Sequence, residues 1–225
     1  MALLGEPEGG HFFAGGGIDR TAGAEERRDP AFLAECLAEP TAAFLLVTTN
    51  RRGPRLLFGT GGKIAWTGLE VVRGWGLSPG QAAGDDTTVL LGRARAPSST
   101  MFTPAPPHLT RPAHDIHLSA GDGDEGWRFA LDASSVDEQI LLEHGELVSG
   151  RGLMQNDRAD ASVGGHALAM LAWHEKNMFS GVSGSPTEPI EAGLKRTGPV
   201  HLAHLYPLLP CCQPLSCCRK RFRRL

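Results

Sequence analysis

The stretch from residue 97 to residue 126 constrains the fold more than any other part of this sequence. It contains the acidic run Gly121-Asp-Gly-Asp-Glu-Gly126 and five prolines, Pro97, Pro104, Pro106, Pro107 and Pro112. Proline fixes φ and has no backbone N–H to donate, so a proline-rich stretch cannot continue a helix or an internal strand. We therefore predict an exposed loop or a disordered insertion that separates two ordered parts of the chain.

On either side of this loop, short apolar runs predict the strands of one sheet. The runs are rich in β-branched and aromatic residues and are bounded by glycine, which is typical of strands. Two of them form a predicted hairpin around Gly59-Thr-Gly-Gly, and Trp127-Arg-Phe-Ala-Leu131 alternates as a strand with one buried face does. The predicted strands are 43–48, 55–58, 63–66, 87–92 and 127–131.

Two helices are predicted from capping signals and apolar spacing. Asp29 precedes Pro30, and Pro40 follows the apolar Phe32, Leu33, Cys36 and Leu37, which predicts a short helix from 30 to 39. A longer helix over 159–178 has Val163, Ala167, Met170, Leu171, His174 and Met178 at helical spacing. Residues 136–154 are predicted to be helical in part. The expected fold class is α+β, a small mixed β-sheet domain with helices.

Composition excludes several broad classes. Glycine and proline together make up one fifth of the 225 residues, below the roughly 25–30% that marks low-complexity disorder, and glycine has no strict period. No apolar run approaches the ~20 residues that cross a bilayer. The first residues, Met1-Ala-Leu-Leu-Gly-Glu-Pro-Glu8, carry acids where a targeting signal has bases, so we expect an intracellular protein.

Charged residues and cysteines are distributed unevenly along the chain. All 25 acidic residues lie at or before Glu191, whereas residues 192–225 hold seven basic residues and no acid. Cys36 is alone in the body, and the other cysteines are Cys211, Cys212, Cys217 and Cys218. This spacing is unlike that of a secreted disulfide framework. The sequence therefore predicts a main body with a compositionally different C-terminus.

Motifs for nucleotide binding and hydrolysis are incomplete. A phosphate loop at Gly59-Thr-Gly-Gly-Lys63 would need glycine at Leu57 and Ser or Thr at Ile64, so a hairpin turn is the better interpretation. Gly15-Gly-Gly17 lacks the last glycine of the dinucleotide fingerprint, and Ser183 has no strand before it as a nucleophile elbow would. His108, His114 and His117 could hold a metal but are more typical of a solvated loop.

Two separated stretches resemble the NADH pyrophosphatase branch of the Nudix hydrolases. The first reads Phe12-Phe-Ala-Gly-Gly-Gly-Ile-Asp-Arg20, Arg28-Asp-Pro-Ala-Phe-Leu33, Ala38-Glu-Pro40 and Phe44-Leu-Leu-Val47. The second reads Ala167-Leu-Ala-Met-Leu-Ala-Trp-His-Glu-Lys-Asn-Met-Phe179, Ser180-Gly-Val-Ser-Gly-Ser-Pro-Thr-Glu-Pro189, Gly193-Leu-Lys-Arg196 and His204-Leu-Tyr-Pro207. The resemblance spans about residues 12–207, with 73–126 poorly matched, and its specificity depends on the order of the motifs.

The resemblance implies a function and a division into segments. Intact members hydrolyse the pyrophosphate of NADH, NAD⁺ and related dinucleotides, including NAD caps on RNA, with Mg²⁺ or Mn²⁺, and they hold structural Zn²⁺. It further implies an N-terminal domain over 1–178 that supports homodimerisation, a degenerate zinc-ribbon-like segment over 179–207 and an unstructured Cys/basic tail over 208–225. Nothing in the sequence points directly to nucleic acid as a partner.

The sequence departs from the family at its metal sites. Ser180 and Ser183 stand where the first zinc-binding cysteine pair belongs, and the second pair is missing near Gly198 and His201. Serine supplies no thiolate, so a ribbon here must fold without zinc. The Nudix box that follows the ribbon in the family uses glutamates to bind its divalent cation, and residues 208–225 contain none. We therefore expect no catalytic residue, no metal ligand and no cofactor in this chain.

Three interpretations of the tail 208–225 remain open. It is a frame change or alternative exon, a palmitoylated cysteine cluster beside basic residues, or a thiolate metal site, although adjacent cysteines fit a metal knuckle poorly. Two functions follow from the sequence. The first is a truncated or divergent pyrophosphatase that is inactive by itself. The second is a non-catalytic module that dimerises with itself or with a full-length relative, and that attaches to membranes only if the tail is lipidated.

Trp173 and His174 are interpreted as a helix end packed against the ribbon, because no nucleophile or carboxylate partner is apparent nearby.

Overall fold

A computed structural model describes residues 17–50, 53–59, 62–80, 87–94 and 125–198. The predicted loop is therefore outside the described residues except for its last two positions. The tail 208–225, the residues after Gly198 in the predicted ribbon and the first sixteen residues are also outside them.

Seven strands form one mixed sheet in the order β1-β5-β6-β2-β3-β7, with β4 paired to β2. The pairing of β2 with β6 is parallel, and the other pairings are antiparallel. A parallel pair needs a long connection, and here the chain between the two strands also supplies β3, β4 and β5. The strands are β1 (Ile18–Asp19), β2 (Ala43–Asn50), β3 (Gly53–Phe58), β4 (Trp66–Gly68), β5 (Thr88–Ala94), β6 (Gly126–Asp132) and β7 (Glu146–Ser149).

Helices lie between the strands and after the last of them. They are α1 (Pro30–Ala38), α2 (Leu69–Gly74), α3 (Glu138–His144), α4 (Gly150–Leu153) and α5 (Arg158–Lys176), and a 3₁₀ turn spans Glu26–Arg28. Asp29 caps α1 as predicted, because its carboxylate accepts a hydrogen bond from the backbone N–H of Ala31 at 2.9 Å. The chain ends its described part in a hairpin of β8 (Glu188–Ile190) and β9 (Lys195–Thr197). The expected α+β class is confirmed.

Hydrophobic clusters cover both faces of the sheet. On one face, α5 packs over β2, β3 and β5. Its Ala167 and Leu171 belong to the same hydrophobic cluster as Leu45 and Val47 of β2. On the other face, α1, α2 and α3 contribute Cys36, Val72 and Leu141 to the hydrophobic cluster that contains Phe44 and Phe129. The sheet is therefore the middle layer of the described part.

Burial on both faces corrects the prediction for β6. Alternation in 127–131 predicted one buried face, but every residue from Gly126 to Leu131 is buried. Arg128 is only 1% exposed, and its guanidinium donates to the carbonyl of Thr41 at 2.9 Å and lies over the ring of Trp66. A long cationic side chain can occupy an internal strand when it finds a carbonyl and an aromatic ring there.

Two further predictions need correction, and one is confirmed. The hairpin is formed by β2 and β3, whereas residues 58 and 64 share only one isolated bridge. Residues 136–154 are helical in part, as predicted, and between the helices α3 and α4 the strand β7 pairs with β3 at the sheet edge. Met178, predicted on the apolar face of the long helix, lies beyond the end of α5 and is 51% exposed.

No helix in the ranges that the structure describes combines the length and the apolar character that crossing a membrane requires.

Candidate functional site

The chain turns sharply after α5 and places the hairpin β8–β9 against the end of that helix. Asn177 ends the helix: its side-chain amide donates to the carbonyl of Trp173 at 2.7 Å, and its backbone N–H donates to the carbonyl of His174. The carbonyl of Asn177 then accepts the hydroxyl of Thr187 at 2.5 Å. This sequence of contacts joins the last turn of α5 to the base of the hairpin.

His174 is the centre of the resulting cluster. It is 1% exposed; its Nε2 lies 2.7 Å from the carbonyl of Gly193, and its Nδ1 lies 3.0 Å from Nη1 of Arg196. A carbonyl can only accept and a guanidinium can only donate, so the ring is the neutral tautomer with its hydrogen on Nε2. Burial lowers the pKa of His174 to about 4; the bond to Gly193 opposes this shift, and the charge of Arg196 adds to it.

Arg196, on β9, connects His174 to the other strand of the hairpin. Its Nε donates to the hydroxyl of Thr187 at 2.8 Å, and its Nη2 donates to the carbonyl of the same residue at 2.6 Å. The residue is 6% exposed. Burial lowers the pKa of Arg196, and the charge of Glu188 opposes that effect. One guanidinium therefore contacts α5 through His174 and the start of the hairpin through Thr187.

The turn between β8 and β9 fits closely against the sheet. The carbonyl of Ala192 accepts the backbone N–H of Leu90, on β5, at 2.9 Å. Gly193 has φ +83°, and a Cβ at that position would lie 2.5 Å from the carbonyl oxygen of Thr88. Only glycine fits a left-handed backbone at this distance from a neighbouring strand. In the same turn, the carboxylate of Glu191 forms an ion pair with the ammonium group of Lys195 at 2.6 Å.

Ser180 and Ser183, placed by the resemblance at the first zinc-cysteine pair, lie in the turn between α5 and the hairpin. The Ser180 hydroxyl accepts the backbone N–H groups of Val182 and Ser183, each at 3.3 Å. The Ser183 hydroxyl accepts the N–H of Ser185 at 3.3 Å. In the described part of the chain, no three His, Cys, Asp or Glu side chains are grouped so that they could hold a metal ion.

A second buried cluster of basic residues joins β1 to α5, and the sequence analysis missed it. Nη2 of Arg20 donates to the hydroxyl of Ser162 at 3.1 Å, and Nη1 of Arg27 donates to the carbonyl of Leu90 at 2.9 Å. His166 is 4% exposed, and its Nε2 has no hydrogen-bond partner. Burial, and to a lesser degree Arg20 and Arg27, lower the pKa of His166 to about 3. Its helical spacing from Ser162 was the one signal in the sequence.

The remaining candidates from the sequence are separate from both clusters. Gly59 closes a turn with Lys63, whose carbonyl accepts its N–H at 2.9 Å, in keeping with the interpretation of this segment as a turn. Cys36 is 2% exposed, and burial raises the pKa of its thiol to about 11, so the thiolate is scarce at neutral pH. Gly15, Gly16 and the three histidines of the proline-rich stretch lie outside the described residues.

The polar atoms at the centre of the His174 cluster are bonded within the fold. Both ring nitrogens of His174 are engaged, so its neutral form offers no free lone pair to a substrate proton. Arg196 has its Nε, Nη1 and Nη2 atoms bonded within the fold. Comparison with known proteins gave no assignment: the chain matches no family model and no curated protein.

Proposed function

We propose that this chain is a truncated or divergent member of the NADH pyrophosphatase branch of the Nudix hydrolases, inactive by itself, and that its hairpin is a metal-free counterpart of the zinc ribbon. The observation that supports the proposal is the meeting of three separated motifs. Arg196 of the Lys-Arg pair is bonded to both His174 of the Trp-His pair and Thr187 of the Pro-Thr pair in one buried cluster. Motifs whose order suggested the resemblance thus share one structural role.

The Asp-Arg motif near the start of the resemblance supports the same interpretation. Asp19 accepts the hydroxyl and the backbone N–H of Thr21, at 2.6 and 3.0 Å. Arg20, beside it, donates to Ser162 on α5. Arg20 therefore joins the residues after β1 to α5, and Asp19 holds the turn that follows the strand.

Absence of catalysis is tested with the substrate of the intact family. The purified full chain is incubated with NADH or NAD⁺ and Mg²⁺ or Mn²⁺, and release of AMP and nicotinamide mononucleotide is measured. We expect no release above the buffer rate, because the 225 residues contain no glutamate-rich box to bind the cation. Turnover that co-purifies with the chain through two independent columns would show that the proposed inactivity is wrong.

Correspondence of the hairpin with a zinc ribbon is tested by restoring the missing thiols. Cysteine is introduced at Ser180, Ser183, Gly198 and His201, in a background where the four tail cysteines are serine. Four thiolates form a tetrahedral site, so we expect one Zn²⁺ per chain and, with Co²⁺, the absorption of tetrathiolate coordination. The matched control carries cysteine only at Ser180 and Ser183. Equal and weak binding by both variants would contradict the correspondence.

A second candidate function, a dimerisation or binding module, is favoured by one surface. Phe179 and Val182 are 62% and 95% exposed in the turn before the hairpin, and Met178 beside them is 51% exposed. Adjacent exposed apolar side chains are typical of contact surfaces. Sedimentation equilibrium of the full chain should then give a dimer that Phe179→Ser with Val182→Ser weakens. A monomer at all accessible concentrations would exclude self-association.

Membrane attachment belongs to this second candidate and has its own test. Metabolic labelling with a palmitate analogue is compared between the chain and a variant with serine at Cys211, Cys212, Cys217 and Cys218. Label that disappears in the variant supports attachment through the tail, since one lipid signal beside basic residues gives stable binding. An unlabelled chain in both cases argues against it.

A further inference from the structure

The hairpin β8–β9 with its turn, residues 187–198, packs on the rest of the described structure through Ala192 and Leu194 and is bonded to it by directional contacts. His174 accepts from Arg196 and donates to Gly193. The other bonds are Thr187 with Asn177 and Met178, Leu90 with Ala192, and an ion pair of the exposed Arg28 with the half-buried Glu191 at 3.4 Å. One side chain of α5, His174, thus bonds both to the turn, at Gly193, and to the second strand, at Arg196.

Only one protonation state of His174 fits these bonds. The Gly193 carbonyl requires a hydrogen on Nε2, and the Arg196 guanidinium requires a lone pair on Nδ1. A second ring proton would place an N–H donor against the guanidinium at 3.0 Å, and two positive charges would then face each other away from water.

The charges around the pair do not compensate for a second proton. From β8, Glu188 acts on Arg196, and from the turn, Glu191 is already paired with Lys195 and Arg28. On α5 itself, Glu175 and Lys176 are exposed. Among the described residues, no carboxylate forms a hydrogen bond or an ion pair with the His174 ring, whose polar contacts are Gly193 and Arg196.

We propose that His174 is an acid-sensitive latch, and that its protonation releases residues 187–198 from the end of α5 while the seven-stranded sheet stays folded. The sheet has its own hydrophobic clusters on both faces, to which the hairpin region adds Ala192 and Leu194. Segments with few buried apolar contacts open locally at a smaller free energy than the core. The latch is a conformational device that is independent of the proposed family membership.

The linkage between proton binding and opening gives the direction and size of the effect. In the open state His174 is exposed and has its ordinary pKa of 6.5, whereas in the closed state the pKa is lowered to about 4. Opening therefore takes up a proton between these two values. The population of the open state should rise on the order of 50-fold between pH 7 and pH 4.5.

Hydrogen exchange of single amides in the full chain tests the latch. The reporters are the amides of Leu90 and Thr187, which donate to Ala192 and Met178, and the reference is the amide of Ala133, which donates to Val47 in the sheet at 2.8 Å. After correction for the intrinsic pH dependence of exchange, protection at the two reporters should fall about 50-fold from pH 7 to pH 4.5. Protection at the reference amide should fall much less.

A non-titrating variant is the matched control. In His174→Gln the side-chain amide can still donate to Gly193 but gains no charge in acid, so protection of Leu90 and Thr187 should vary with pH no more than that of Ala133. The latch is wrong if both reporters follow the reference amide in the original chain, or if the glutamine variant shows the same loss in acid.

Ring-nitrogen NMR of the original chain keeps the proposal testable if the variant does not fold. His174 should show an unprotonated Nδ1 at pH 7, and it should gain its second proton near pH 4, where the loss of protection at Leu90 that begins below pH 6.5 levels off. A ring that titrates near 6.5 with the hairpin still protected would overturn the proposal.

Discussion

The rings of Phe44 and Phe129 stack with their centroids 5.3 Å apart and their planes 18° from parallel. The two residues are also direct partners in the register of the parallel strands β2 and β6, and both are fully buried. Residues 85 positions apart in the chain thus meet through one side-chain contact at the centre of the sheet, on the face that α1, α2 and α3 cover.

Truncation of one ring should strongly destabilise the fold. Phe129→Ala removes a buried aromatic side chain and leaves a cavity against Phe44, so we expect a loss of about 3–5 kcal/mol in the free energy of unfolding. Urea denaturation followed by tryptophan fluorescence measures it. Leu142→Ala is the control, because Leu142 is 43% exposed, and it should stay within about 0.5 kcal/mol. Similar losses in the two variants would contradict the described core.

Thr187 should stabilise the hairpin through its hydroxyl and not through its volume. Thr187→Val leaves Nε of Arg196 and the carbonyl of Asn177 without their partner, and we expect a loss of about 1–3 kcal/mol. Thr187→Ser keeps the hydroxyl and should lose less than half as much. The comparison is made by denaturant unfolding of both variants; if valine is tolerated as well as serine, the hydrogen bonds do not hold the hairpin.

Gly193 should tolerate no side chain. Gly193→Ala adds a Cβ in a left-handed backbone and 2.5 Å from the carbonyl oxygen of Thr88, so either the turn or β5 must move. We expect the midpoint of thermal unfolding to fall by roughly 5 °C or more, which corresponds to at least about 2 kcal/mol. Gly181→Ala is the control, since a Cβ there meets no atom within 4 Å. Equal midpoints for the two variants would exclude the close packing of the turn on the sheet.

Replacement of His166 should reduce the sensitivity of the fold to acid. Its pKa is lowered to about 3 in the folded state, so the unfolded chain, with a pKa near 6.5, takes up the proton first as the pH falls. The stability that neutral His166 contributes is complete above pH 6.5 and is lost progressively toward pH 3, on the order of 5 kcal/mol in all.

His166→Leu removes this titration and the Nε2 atom that lacks a partner. We expect the variant to be at least as stable as the original chain at pH 7, and to lose less stability between pH 7 and pH 4.5. Denaturant unfolding at both pH values measures the two slopes. An unchanged pH dependence would mean that His166 is not buried in its neutral form.

Local signals in the sequence predicted the elements that depend on local contacts. Asp29 and Pro30 start α1 through capping and a fixed φ, and apolar spacing predicted α5 to within two residues at each end. The strands β2, β5 and β6 were predicted from their apolar runs. Periodicity alone could not show that β6 is buried on both faces, because that depends on helices distant in the chain.

Elements of low local propensity were found only in the structure. The strand β7, Glu146–Ser149, is exposed or half-buried, and it forms because β3 offers it a free edge. Its sequence is short and lies between two helical segments, so 136–154 was predicted to be helical in part without a strand. The short helix α2 was missed for a related reason, since six residues carry too few turns for a pattern.

The sequence by itself determined the α+β class and, to within two residues, the ends of α1 and α5. Only the tertiary structure decided that His174, Thr187 and Arg196 form one buried cluster. It also decided that Nε2 of the buried His166 has no hydrogen-bond partner. Capping, spacing and side-chain chemistry act within a few residues, whereas hydrogen bonding and burial of a histidine depend on which distant segments the folded chain packs around it.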